Sequence, residues 1–301
     1  MAEFKFGFDE LWFRMIIKKL PDNPDLFAPR EVENAQQILR IGKLKVGAAR
    51  IWAEAAGLIQ KRRAGYGLTP LGMVAASFDP DLTEDGIWWI LHYNLARIHS
   101  AAWFYSYYIN YFEYETFDRQ LLESALRGFW AKDHKPLTND MFHKLIYSPL
   151  KQVFDGTRFG NGRPGGFRLF FETKSGDFSR EPKGSRPVHP AVVGYCICDW
   201  AQNNERHTAH IDELLHPGAP GCILRLNHVF LDEILVAIGE RYMKRVAWIS
   251  HTANLNSVAI ADFPALPILV AYYLELDGLE PSKALEKGLS MVQGGEFGTW
   301  K

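Results

Sequence analysis

The chain has 301 residues, of which 47% are hydrophobic and 23% charged, with a formal net charge of -1. That balance is globular and long enough to bury a core without disulfides or metals, in one large or two smaller domains. It excludes a global basic excess, so any DNA contact has to come from a local patch.

The three cysteines, Cys196, Cys198 and Cys222, are too few and too odd for a secreted disulfide framework. Lys5, Asp9, Glu10 and Arg14 interrupt the apolar N-terminal residues, which leaves no signal-peptide core. The apolar stretch from Ile87 to Phe112 carries His92, Asn94, Arg97, His99 and Asn110, groups too costly for lipid. A cytoplasmic protein without membrane contact is expected.

In chain order, apolar spacing predicts a helix from Phe4 to Leu20, broken by Pro21, Asn23, Pro24 and Pro29. A helix follows over Arg30 to Arg40, a turn at Ile41-Gly42, and a second helix from Lys43 to Ala56 capped by Gly57. A short hairpin comes next, Leu58-Ile59-Gln60 and Tyr66-Gly67-Leu68 around Lys61 to Gly65, and Thr69-Pro70-Leu71-Gly72 closes the unit. From Thr83 the chain reads helical and aromatic, with further helices over Asp118 to Ala131 and Thr138 to Phe154. Glycines then dominate from Asp155 to Gly166, a strand is expected over Phe167 to Phe171, and Ser175 to Pro190 reads as a loop. Helices at Ala191 to Asn203 and His228 to Gly239, a strand at Val246 to Ser250, and helices near Leu266 to Leu276 and after Pro281 complete the chain.

The fold class expected is mainly α (α+β). A winged helix-turn-helix occupies residues 1–82, and a helix-rich, possibly catalytic C-terminal domain with a few strands occupies 83–301. In the second helix of the motif, Leu44, Ala48, Ile51, Trp52 and Ala55 are expected to face inward. Lys43, Lys45 and Arg50 then lie at the edge or outside, where the helix N-terminus favours phosphate. Lys61, Arg62 and Arg63 sit at the wing tip, within reach of a backbone or minor groove. A protein-interaction module with a solvated basic turn is the competing interpretation.

These residues carry a resemblance. Gly42-Lys43-x-x-Val46-x-Ala48-x-Arg50-x-Trp52, Ala56-Gly57-Leu58-Ile59 and Leu68-Thr69-Pro70-Leu71-Gly72 resemble a bacterial family labelled domain of unknown function 4007. So do Trp89-Ile90-Leu91-His92-Tyr93, Trp103 and Asn110-Tyr111-Phe112, and the likeness covers about the first 115 residues. Members of that family sit in DNA phosphorothioation and related phage-defence systems. The resemblance implies a role in nicking one DNA strand so that a partner can place sulfur in the backbone. It also implies three partners: a cysteine desulfurase, an ATPase and an ATP-pyrophosphatase-like sulfur-transfer enzyme. Two departures stand out. Family members open with a Gly-His-Glu-Thr-Phe-like motif, whereas Gly7-Phe8-Asp9-Glu10-Leu11-Trp12 stands here, so no role for that histidine carries over. Gly47 occupies a position that is often basic in relatives.

A nicking enzyme needs acidic ligands for a hard cation and a group that positions water. Asp155, then an apolar strand bearing Glu172-x-Lys174, fits that pattern: Asp155 and Glu172 for Mg²⁺ or Mn²⁺, Lys174 for the water. The competing interpretation is a strand running into a charged loop. His207-x-x-His210-x-Asp212-Glu213, near Cys196, Cys198 and His216, is a second metal candidate if His207 and His210 share a helix face, although the cysteines read better as buried. Arg158, Arg163 and Arg168 beside the glycine-rich loop are candidate backbone contacts or simply surface. No Walker loop, HExxH or Gly-x-Ser-x-Gly is present. The aromatic belt from Trp88 to Phe112 suits a core or a subunit interface more than base stacking; the interface is the expectation, because DNA-binding winged helices often act as dimers, and with it a homodimer. A non-catalytic DNA-binding adaptor and a transcriptional regulator are the alternative functions.

Overall fold

The apolar start of the chain is not one helix. Phe4 and Phe8 are buried in irregular backbone, and Asp9 then caps a shorter helix by accepting the Leu11 N–H. The computed structural model describes residues 4–63, 65–160, 165–250 and 257–298.

Helices α1 (Glu10–Lys19), α2 (Val32–Leu39) and α3 (Lys43–Ala55) come first, with a 3-10 turn at Pro29–Glu31 before α2. Strands β1 (Ile59–Arg62) and β2 (Gly65–Leu68) form an antiparallel hairpin that pairs Ile59 with Leu68 and Arg62 with Gly65. Then come α4 (Pro70–Phe78), α5 (Asp85–Ala96), α6 (Trp103–Asn110), β3 (Thr116–Phe117) and α7 (Arg119–Trp130). Helix α8 (Asn139–Phe142) runs through a π-helical turn (His143–Tyr147) into α9 (Ser148–Gly156). Strands β4 (Phe171–Glu172) and β5 (Phe178–Ser179) follow, with β5 central between β3 and β4. The rest comprises α10 (Pro190–Asn203), β6 (Thr208–His210), α11 (Pro220–Ile223), α12 (His228–Arg241), β7 (Ala247–Ser250), β8 (Ser257–Ile260), α13 (Ala265–Leu276) and α14 (Pro281–Gln293). The chain is thus mostly helical with a few antiparallel strands, an α+β protein.

The elements gather into two units, residues 1–68 with 94–185, and residues 69–93 with 186–301. In the first unit, Trp52 on α3 anchors the core. Its ring lies edge-on to Phe4 with centroids 4.6 Å apart, and its Nε1–H donates to the Phe6 carbonyl at 2.7 Å. Glu10, 1% exposed, accepts from the Arg158 backbone N–H at 2.8 Å and pairs with Arg14 at 3.0 Å. Most of the aromatic belt is core: Phe104, Tyr105, Tyr108 and Phe112 are buried here, and Trp88, Trp89 and Tyr93 are buried in the second unit. Those rings are spent on the chain's own packing and are not available to a second subunit. Trp103 and Tyr107 keep part of their surface, and Tyr111 is exposed.

In the second unit, α13 is apolar all round and buried from Ala265 to Leu274. Gly288 lets α14 approach it, since a Cβ there would come within 2.5 Å of the Pro267 carbonyl oxygen. His92 is fully buried beside the Ile223 carbonyl, 2.8 Å from its Nε2. Strands β6, β8 and β7 form the unit's antiparallel sheet, in that order.

Three further sequence expectations change. Thr69-Pro70 does not close a unit but starts α4, with Thr69 as cap and Pro70 in the first turn. The run from Phe167 to Phe170 is not a strand. Arg168 adopts φ 52°, and the backbone bonds instead to residues 158–160, with Leu169 N–H on the Phe159 carbonyl at 2.7 Å. The stretch expected as a loop after Ser175 contains β5.

Candidate functional site

Helix α3 begins at Gly42, whose extended backbone provides no side-chain cap, so the first N–H groups point outward. Lys43, Leu44, Lys45 and Gly47 are all exposed, Leu44 at 79%. This corrects the expected inner face. The buried set is Val46, Ala48, Ala49, Trp52 and Ala53, because Trp52 fixes the rotation of the helix through Phe4 and Phe6. A Cβ at Gly42 or Gly47 would meet nothing within 4 Å, so the outer surface is open at both.

The wing cations divide into two kinds. Arg50 donates to Glu54 at 2.5 Å and to the Tyr66 hydroxyl at 3.0 Å, which ties α3 to β2. Arg62 folds back to the Leu68 carbonyl at 2.9 Å, into space that Gly67 leaves, since a Cβ there would lie 2.3 Å from its Nε. Arg50 and Arg62 therefore brace the hairpin. Lys61 and Arg63 are exposed at its end, and Gly65 turns the chain at φ 95°.

Asp155 lies in the last turn of α9 and Glu172 on β4, and one side chain joins them. The Lys151 Nζ is 2.6 Å from Asp155 Oδ2 and 3.9 Å from Glu172 Oε2. Asp155 and Glu172 thus converge, which their sequence separation alone does not show. The one local signal for Lys151 is its (i, i+4) spacing to Asp155. Lys174 sits elsewhere. The strand ends at Glu172, and Thr173 closes a turn by donating its N–H to the Asp177 carbonyl at 2.7 Å. Lys174 lies exposed in that turn, not on a strand face beside Glu172.

The same helical stretch carries His143, Tyr147, Lys151 and Asp155 at four-residue intervals, and so on one side. Helix α7 supplies Arg119, which pairs with Glu123 at 2.6 Å, donates to His143 Nδ1 at 3.1 Å and lies 4.7 Å from the centre of the Tyr147 ring. His143 Nε2 is 3.4 Å from Glu123 Oε2. Burial raises the Tyr147 hydroxyl above its ordinary pKa. Arg119 opposes that shift, while Glu123, Asp155 and Glu172 add to it. A π-helical turn underlies this cluster, a distortion that is frequent at functional sites.

Residues 4–8 link the two regions. The Gly7 N–H donates to Gln152 Oε1 on α9 at 2.9 Å, and Trp52 of α3 holds the Phe6 carbonyl. The approach is close, because a Cβ on Gly7 would fall 2.5 Å from Gln152 Cβ and 2.8 Å from the Pro149 carbonyl oxygen.

The second metal candidate dissolves. His207 and His210 share no helix, because His210 ends β6 and His207 precedes it. His210 Nδ1 lies 3.2 Å and His228 Nε2 3.8 Å from the two Asp212 oxygens, and Glu213 accepts the His210 N–H at 2.9 Å. Among the described residues no three His, Cys, Asp or Glu side chains are grouped to hold a metal. His216 follows a short 3-10 turn. Cys196, Cys198 and Cys222 are buried thiols, and burial pushes Cys198 up to about 12, away from thiolate chemistry. Arg158 is buried against Glu10, and Arg168 pairs with Glu181 at 2.7 Å and stacks on Phe171, so both arginines are structural. Arg163 lies outside the described residues.

Residues 5–144 match the family described as "Protein of unknown function (DUF4007)". No curated protein matches the chain. Two solved structures share its fold. One is described as "SspB crystal structure", with a TM-score of 0.73, 18% identity and 95% of each chain covered. The other is described as "Magnesium ion-bound SspB crystal structure", with a TM-score of 0.69, 18% identity and the same coverage. The chain is SspB-like in fold. No helix among the described residues is long and apolar enough to cross a membrane.

Proposed function

We propose that this chain is the DNA-binding component of a DNA phosphorothioation defence system and that it nicks one strand with Mg²⁺ or Mn²⁺. The observations that carry the proposal are the exposed Lys43-Leu44-Lys45 edge of α3 and the exposed Lys61 and Arg63 at the end of the hairpin that follows it. In this reading residues 1–82 act as a winged helix-turn-helix. Helix α3 enters the major groove, Lys43 and Lys45 meet phosphates, and Leu44 offers an apolar contact of the kind that suits a thymine methyl. Lys61 and Arg63 reach the adjoining backbone or minor groove, while Arg50 and Arg62 hold the hairpin in place.

Residues 83–301 supply the chemistry. Asp155 and Glu172 fit a hard divalent cation: two carboxylates from separate elements already converge on one positive charge, the Lys151 ammonium. Such a cation supplies charge neutralisation at the scissile phosphate and a more acidic water. Gly7 and Trp52 couple the DNA-contacting helix to α9, which bears Asp155, so that docking of α3 positions the acids. The resemblance of residues 5–144 and the magnesium-bound SspB structure of the same fold support this reading. The partners proposed are a cysteine desulfurase, an ATPase and an ATP-pyrophosphatase-like sulfur-transfer enzyme, with the protein acting as a homodimer in the cytoplasm.

Fluorescence anisotropy with a labelled duplex over a range of salt tests the DNA contact. Replacing Lys43 and Lys45 together by alanine removes two phosphate contacts and lowers the slope of log K against log salt by roughly 2. An unchanged slope and affinity refutes the assignment of α3.

A further inference from the structure

We infer that the outer face of α12 is a docking surface for a partner protein, one that lays a basic amphipathic helix along Val229, Val236 and Met243. The inference goes beyond the DNA reading above and does not rest on it.

The inner side of α12 is committed to its own unit. Leu231, Leu235 and Ile238 are buried, and Gly239 lets the helix lie close on β7, since a Cβ there would come 3.2 Å from Trp248 Cβ. That packing fixes which side faces out, and the outer side carries large apolar residues. Val229 is 62% exposed and Val236 44%, and they stand seven residues apart on one side of the helix. Met243 follows at the same interval just past the helix end, at 68% exposure. Phe230 is also exposed, and with the half-buried Ile234 and Ala237 it forms a second apolar row beside the first. Anchors at such i, i+4, i+7 spacing are those of helix-in-groove docking.

The turn that carries Met243 is strained. Met243 and Lys244 are consecutive left-handed residues, φ 50° and 57°, in a conformation that suits glycine. The backbone thus holds a flexible thioether out in solvent against its own preference, and methionine adapts readily to a partner's surface.

The charges among these rows say what kind of partner fits. Asp232, Glu233 and Glu240 are all exposed, and none pairs with a cation among the described residues. Lys244 follows them beyond the helix end. Three free carboxylates repel a nucleic-acid strand or an anionic lipid surface. A second copy of the chain suits this face no better. Antiparallel pairing about Val236 brings Val229 to Met243 but sets Asp232 against Glu240, and parallel pairing sets every acid against itself. Like charges so placed oppose association. A helix with Lys or Arg beside its apolar anchors instead meets each carboxylate with an opposite charge while it covers both apolar rows.

A fluorescein-labelled peptide of leucine and lysine at helical spacing, titrated into the full-length chain and followed by anisotropy, tests this without reference to DNA. A counterpart with glutamate in place of lysine is titrated beside it, and hydrogen exchange maps the contact. The lysine peptide binds, slows exchange within residues 228–244 and weakens as salt rises, whereas the glutamate peptide does not bind. Asp232→Lys with Glu233→Lys weakens the lysine peptide on the order of tenfold. Val236→Ser, which keeps every charge, weakens it as well, and Glu113→Lys in the first unit leaves it unchanged. If the double lysine variant unfolds, Glu240→Gln and Val236→Ser carry the test. Equal binding of the two peptides, no binding, protection outside residues 228–244, or an equal loss in Glu113→Lys overturns the inference. A smaller assembly in sedimentation of Val236→Ser than of the wild type also overturns it, and gives the face to a second copy.

Discussion

Replacing Glu10 by alanine strikes the ionic centre of the first unit. Glu10 opens α1 at 1% exposure, accepts from the Arg158 backbone N–H at 2.8 Å, and faces the Arg158 guanidinium at 3.4 Å and Arg14 at 3.0 Å. Arg158 is itself only 6% exposed, so the pair lies away from solvent. Removing one member of a buried pair costs about 3–5 kcal/mol, far above the roughly 0–1 kcal/mol of an exposed pair. At about 2–4 °C per kcal/mol for a unit of this size, the midpoint of thermal unfolding falls by roughly 6–20 °C. Circular dichroism and tryptophan fluorescence read this together, because Trp52 reports on the same core. Glu10→Gln keeps an acceptor for the Arg158 N–H and loses less. A drop below about 1 kcal/mol in Glu10→Ala, the range of a surface pair, refutes the claim that this contact organises the unit.

Two further outcomes follow from the geometry. His92 is held neutral in the fold, its pKa lowered to about 4, chiefly by burial, while the unfolded chain takes up the proton near 6.5. Stability from this group is therefore complete above about pH 6.5 and declines as pH falls toward 4, by about 3 kcal/mol in all. Urea melts between pH 4 and 7 show a flatter dependence in His92→Gln, and an identical slope contradicts the burial argument. Gly7→Ala forces a Cβ against Gln152 and the Pro149 carbonyl, for a loss of about 1–3 kcal/mol in a chemical melt. It also slows nicking, because α9 loses its tie to residues 4–8. Wild-type stability and rate exclude the proposed coupling.

Much of the architecture is legible from local pattern. Helices α3, α7, α10 and α12 stand where periodicity and caps place them, with Asp118 and Asn227 each accepting an N–H of the first turn. Other parts hide because one residue pattern serves two structures. Thr69-Pro70 suits a turn and a helix start equally. Phe167 to Phe170 has the apolar content of a strand, but the left-handed Arg168 breaks it, and no spacing rule foresees that. Strands β6 and β8 pair across nearly fifty residues, beyond any local signal. The same distance problem governs the candidate site. Asp155 and Glu172 are visible as residue types, whereas the lysine between them is not, because Lys151 meets Glu172 only after β4 packs beside α9. Glu-x-Lys on a strand shares a face, which favours Lys174 as the partner, but the strand stops at Glu172, two residues short of Lys174. Leu44 shows the reverse: an apolar residue expected inside is outside, because Trp52 and not the apolar count sets the rotation of α3.

Conversion of supercoiled plasmid to open circle decides whether the chain breaks DNA. Purified wild-type protein with Mg²⁺ or Mn²⁺ is predicted to accumulate open circle, to stop on addition of EDTA, and to lose the activity in Asp155→Asn with Glu172→Gln while still binding DNA. Plasmid that stays supercoiled under those conditions, or nicking that persists in the double acid variant, contradicts the assignment of Asp155 and Glu172 as the nicking site.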